Sequence, residues 1–94
     1  MNKTADDVLV MEPEVGEPAK LTLYDDPNIT DLQVVEALMD ICKHGREQAI
    51  QCAEIIDLKG SYIVKKGEVG KLLLMKDEFL NRGIEASVST KAEA

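Results

Sequence analysis

The chain has 94 residues, which limits it to one domain. With 18 Asp and Glu against 11 Lys and Arg, the formal net charge is −7, which disfavours nucleic acid and anionic membrane partners, since both need a basic face. Apolar residues make up 45% of the chain, enough for a core, but Trp is absent and the aromatics are two Tyr and one Phe. Ile, Leu, Val and Met must therefore supply most of that core.

Residues 1–18 carry Lys3 against Asp6, Asp7, Glu12, Glu14 and Glu17, a net −4 in under a fifth of the chain. Pro13, Gly16 and Pro18 interrupt the stretch, and it has no helical period. It reads as a flexible acidic arm, with the domain proper over 19–94. Inside the arm, Val8-Leu9-Val10-Met11 is apolar, either a docking motif or a stray strand. The first residues lack a basic cluster followed by an apolar run, so no secretory leader is expected. No apolar run approaches the roughly 20 residues that span a bilayer.

Residues 19–24 alternate between apolar and polar and predict a short strand. Asp25-Asp26-Pro27-Asn28 is a turn by composition. Thr30 or Asp31 can cap a helix whose apolar face is Val34, Val35, Leu38, Ile41 and Cys42. It should end near Lys43-His44-Gly45, a cation followed by glycine. A second helix starts near Arg46, buries Ala49, Cys52, Ala53 and Ile56, and breaks at Lys59-Gly60. Ser61 to Lys65 is a strand-type run that ends at Gly67. A third helix runs from about Glu68 to Arg82, with Val69, Leu72, Leu73, Phe79 and Leu80 marking its core face and Gly83 stopping it. Ile84 to Ser89 alternates as a last strand, and 91–94 is a frayed end.

The order is β-α-α-β-α-β, an α+β two-layer sandwich. Three helices should pack on one face of a small three-stranded antiparallel sheet, the later strands pairing on either side of the first.

Few residues carry obvious chemistry. Gly67-Glu68-Val69-Gly70-Lys71 resembles a phosphate loop but has two residues between its glycines where four are needed, and Leu72 follows the Lys. The single His44 reads as a helix C-terminal cap, and without a second His or a paired-cysteine motif no metal site is expected. Cys42 and Cys52 fall on apolar stripes and read as buried small hydrophobes. They support neither a disulfide scaffold nor a nucleophile with a base partner, and they suit a reducing cytoplasm. That leaves Asp25-Asp26 after the first strand, either solvated turn formers or a cation site. Asp57 stands near a helix C-terminus, where the helix dipole repels a carboxylate. A third reading, an acid/base pair of Asp25 and Asp57, lacks any accompanying nucleophile, metal set or cofactor loop.

Leu23-Tyr24-Asp25-Asp26, Asn28-Ile29-Thr30 leading into Gln33–Leu38, Glu47-Gln48-Ala49, and Ile56-Asp57-Leu58-Lys59-Gly60 resemble motifs of the ClpS family, adaptors of the ATP-dependent Clp protease. The resemblance spans about 19–89 with the same element order. It implies a non-enzymatic cytoplasmic protein without cofactors. Such a protein docks on the amino-terminal domain of a Clp ATPase and binds free amino termini whose first residue is bulky and apolar. The α-ammonium would be held at the positions of Tyr24, Asp25 and Asp57, with Asp26 also in the pocket. Asn28, Thr30, Leu32, Ala53 and Ile56 would line the pocket, and Glu68 and Lys71 lie in the region of ATPase docking. Tyr24 stands where the family has Asn, and Asp57 where it has His. The alternative implied by those departures is a Clp regulator, or another interaction domain, that has lost amino-terminal recognition.

Overall fold

A computed structural model describes residues 18–90. The arm, apart from Pro18, and the end at 91–94 lie outside the described residues. The elements are β1 (Ala19–Tyr24), α1 (Asp31–Ile41), α2 (Arg46–Lys59), β2 (Ser61–Gly67), α3 (Val69–Asn81) and β3 (Ala86–Ser89). The expected α+β order holds, and the sheet is antiparallel in the order β2-β1-β3.

The alternation read in the first strand sets its burial. Ala19, Leu21 and Leu23 point into the core, while Lys20, Thr22 and Tyr24 lie on the other face. As the central strand, β1 supports both neighbours. Leu21 is opposite Lys65, but Thr22 is opposite Ile63, so Val64 is an extra residue, a β-bulge. The bulge turns Val64 into the core, and its carbonyl accepts a 3.0 Å hydrogen bond from His44 Nε2. The lone histidine thus ties the α1–α2 turn to β2 through its ring, a link the sequence pattern did not show.

The helix faces follow the apolar spacing. Val34, Val35, Ala37, Leu38 and Ile41 of α1 and Ala49, Cys52, Ala53 and Ile56 of α2 are buried. α1 packs mainly on α2, α2 lies on β2, and α3 lies on β1 and β3. Leu72 and Phe79 anchor α3, with Val69 and Met75 packed beside the core. Leu73 and Leu80, expected on that face, are instead 43% and 42% exposed. The stripe that faces the sheet runs through positions 69, 72, 75 and 79, and the two leucines flank it.

Two ends also differ from expectation. α1 does not stop on Gly45. Lys43 takes the left-handed conformation (φ 62°), and the Leu38 carbonyl accepts the N–H groups of Cys42 and His44. Gly45 instead precedes α2 as its extended N-cap residue. β3 starts at Ala86 rather than Ile84. The reason is that Ile84 completes the end of α3: its N–H bonds to the Phe79 carbonyl (2.9 Å) and that of Gly83, at φ 83°, to Leu80 (2.9 Å), a Schellman motif.

The start of α1 is a capping box. Thr30 Oγ1 accepts the Gln33 N–H (3.1 Å), and Gln33 Oε1 accepts the Thr30 N–H (2.8 Å). Thr30→Ala should cost about 1 kcal/mol, read as a shift in the urea midpoint with unchanged slope. An unchanged midpoint would show that the box contributes nothing.

Candidate functional site

Of the residues singled out for binding, Asp25 is joined through its backbone to the end of α2, the helix that carries Asp57. α1 and α2 are joined by a tight turn and run antiparallel, so the start of α1 lies beside the end of α2. β1 ends there too: Tyr24 pairs with Ser61, and the Asp25 N–H donates to the Gly60 carbonyl at 2.9 Å. That bond joins the Asp25 backbone to the residue that stops α2, three positions beyond Asp57. Gly60 adopts φ 91°, and its N–H returns to the Ile56 carbonyl at 2.8 Å. A side chain at Gly60 would meet no neighbour, but the positive φ disfavours any L residue there.

The turn after β1 is built by Asp26. Its Oδ1 accepts the Asn28 N–H (2.9 Å), and its carbonyl accepts the Ile29 N–H (3.0 Å). Asp25, Asn28 and Asp57 are exposed and Asp26 is half-buried. Asp57 occupies the last turn of α2, where backbone carbonyls add partial negative charge. Asp25, Asp26 and Asp57 place three carboxylates toward this end, with the exposed Lys59 in the same last turn of α2.

The other expected pocket residues divide. Thr30 holds its hydroxyl in the α1 cap, and Leu32, two residues further, is 55% exposed. Ala53 and Ile56 are 3% exposed and belong to the core. Tyr24 leans the other way: its hydroxyl lies 2.8 Å from Ser87 Oγ, and its N–H donates to the Glu85 carbonyl at 3.1 Å. The phenol therefore reaches toward β3, on the side of β1 opposite β2. An open groove of about 220 Å³, lined by Gln33, Glu36, Arg82 and Ile84, lies between α1 and the end of α3. Arg82 Nη2 there donates to Asp40 Oδ2 at 3.1 Å, an exposed pair of small energetic weight.

One residue at this end has no counterpart among the motif positions. Leu58, next to Asp57, is 83% exposed, the most exposed large apolar side chain described. Its signal is in the sequence: it follows the buried stripe of α2 but falls off that stripe.

Glu68 and Lys71 sit at the far end of β2, a seven-residue strand and so roughly 20 Å away. Glu68 is the N-cap residue of α3, its Oε1 accepting the Lys71 N–H at 3.1 Å. Among the described residues, no three His, Cys, Asp or Glu side chains gather as a metal site. Nor is any helix among them long and apolar enough to cross a membrane.

The described residues form a small α+β domain whose α2 end carries Asp57 and the exposed Leu58. The chain matches the family model described as ATP-dependent Clp protease adaptor protein ClpS over residues 15–83, most of its length. It belongs to the ClpS family, a family of adaptors and not of catalysts. No curated protein matches it.

Proposed function

We propose that this domain is an adaptor that docks on a Clp ATPase and uses the Asp25–Asp57 end to hold the free amino terminus of a protein substrate. The observation that supports this most directly is the Asp25 N–H bond to Gly60. It seats one carboxylate-bearing backbone against the helix end that carries the other. A carboxylate at position 57 attracts an α-ammonium more strongly than a neutral imidazole does, so Asp57 offsets the missing His. Leu32 and Leu58 supply apolar contact for the first side chain.

Calorimetry with peptides beginning in Leu, Phe, Trp or Tyr, each against its acetylated form, tests the reading. Binding should require the free amino group, and Asp25→Ala should weaken it by about 1.5–3 kcal/mol, at least tenfold. No binding by any free amino terminus overturns the recognition claim.

A second reading is favoured by one observation: Ala53 and Ile56 are closed into the core, where a pocket wall needs an open face. On that reading the domain regulates the ATPase without amino-terminal cargo. A pull-down with the ATPase amino-terminal domain that succeeds while every peptide fails selects it.

A further inference from the structure

One face of the sheet is covered by no element among the described residues. α2 and α3 pack on the side of Ala19, Leu21 and Leu23, so Lys20, Thr22 and Tyr24 of β1 point away from the helices. The register carries that face onto both neighbouring strands. Lys20 stands opposite Lys66 and Ser89, and Thr22 stands opposite Ile63 and Ser87. Directly opposite residues share a face, so these six side chains form one surface. It is graded along the strands. Lys20 and Lys66 lie at the Ala19 end, and none of the six side chains is acidic. Like charges in opposite positions destabilise a strand pair, and a facing anion relieves them. Beyond the lysines, Ile63 is 39% exposed, and the Tyr24 phenol reaches across the far end to Ser87.

From these observations we infer that the open face receives the chain's own segment Val8 to Glu17. Glu14 and Glu17 lie over Lys20 and Lys66, and Val8-Leu9-Val10-Met11 lies over Ile63 and Thr22. Matching order is the first argument. Read backward from β1, the chain presents Glu17, Glu14 and Glu12 and then the apolar tetrapeptide. Read from the Ala19 end, the face presents two lysines and then Ile63, Thr22 and the Tyr24 ring. A segment that doubles back over the face sets each charge against its opposite, and Gly16 and Pro18 are turn-forming residues at the point of reversal. Reach is the second. Ala19 pairs with Gly67, so the chain enters the sheet at the lysine end. A layer on a sheet lies about 10 Å above it, and Thr22 is about 10 Å along β1 from Ala19, so the straight path is about 14 Å. Residues 12–18 extend to about 23–25 Å, which leaves length for the turn. The third argument is tethering. A segment attached this closely acts at millimolar effective concentration, so a modest contact suffices to hold it. The face uses none of Asp25, Asp57, Leu32 and Leu58, so the inference is independent of the amino-terminus-binding reading.

Paramagnetic relaxation on the full chain tests it. A nitroxide on Met11→Cys should broaden the amide resonances of Thr22, Ile63 and Ser87 and spare those of α1, which packs behind the sheet on α2. The two native cysteines are buried and take no label. Glu14→Lys/Glu17→Lys should reduce the broadening severalfold, and high salt should do the same. Those substitutions alter only the segment, so the sheet keeps its fold. Broadening spread evenly over the domain, or left unchanged by Glu14→Lys/Glu17→Lys, overturns the inference. So does broadening in nitrogen-15 chains without the nitroxide when they are mixed with labelled chains, which makes a second copy the occupant.

Discussion

Phe79→Ala should destabilise the domain by about 3–5 kcal/mol, whereas Leu80→Ala should cost under about 1 kcal/mol. Phe79 is the one phenylalanine of the chain, fully buried, and the largest side chain wholly inside. It belongs to α3, which packs on β1 and β3, and its carbonyl accepts the N–H groups of Arg82 and Ile84 that close the helix. Truncation removes its transfer free energy and leaves a cavity in the buried cluster that also holds Leu21 and Leu23. Domains of this size have about 5–15 kcal/mol in total, and each kcal/mol moves the thermal midpoint by about 4–8 °C. Leu80, one residue on, is 42% exposed and loses little by truncation. Urea titration of both variants checks the pair. A Phe79→Ala midpoint close to that of Leu80→Ala would refute the assigned core of α3.

The second large effect is at alkaline pH. Burial pushes the Cys42 thiol up from 9.0 to about 11; Lys65 opposes the rise, and Cys52 and Glu78 add to it. Burial raises Cys52 as well. The folded value lies above the unfolded one, so the unfolded chain loses the proton first. The stabilisation is therefore complete below about pH 9 and is lost as pH rises through about 11. A rise of that size corresponds to about 2–3 kcal/mol. Lysine deprotonation contributes in the same range, so the informative quantity is the difference from Cys42→Ala. That variant starts less stable because a small void opens, but its stability should fall less steeply between pH 9 and 11. Parallel curves would sink the assignment. At about pH 8 the same thiol should resist alkylation until denaturant exposes it.

Much of the fold was legible because β1, α1 and α2 obey one period each. Leu21 and Leu23 repeat every second residue, and Val34, Val35, Leu38 and Ile41 repeat at helical spacing, so burial followed directly. α3 was less legible. Three consecutive leucines at 72–74 and the pair Phe79-Leu80 present apolar residues on more than one side. Only contact with β1 and β3 selects Leu72 and Phe79 and leaves Leu73, Leu74 and Leu80 outside. The α1 end misled for a local reason. Gly45 matched a stop signal, yet the helix bond pattern placed the left-handed residue two positions earlier, at Lys43.

The candidate site divides in the same way. That Asp25 and Asp57 are both unusual was readable from their positions, after a strand and at a helix end. That both lie at one end of the molecule depends on the α1–α2 antiparallel pair and on the Asp25–Gly60 bond, which join residues far apart in the chain. The direction of Tyr24 toward Ser87, across 63 residues, has no signature in the local pattern.

The sequence by itself determined the order of elements, the faces of β1, α1 and α2, the burial of both cysteines, and the family. Each of these rests on short-range periodicity or on contiguous motifs. Tertiary structure alone decided the bulge at Val64 and its His44 tie, the true stripe of α3, and the closing of Ala53 and Ile56 into the core. Those depend on which surfaces meet, and strand register and helix docking are set by contacts between distant residues.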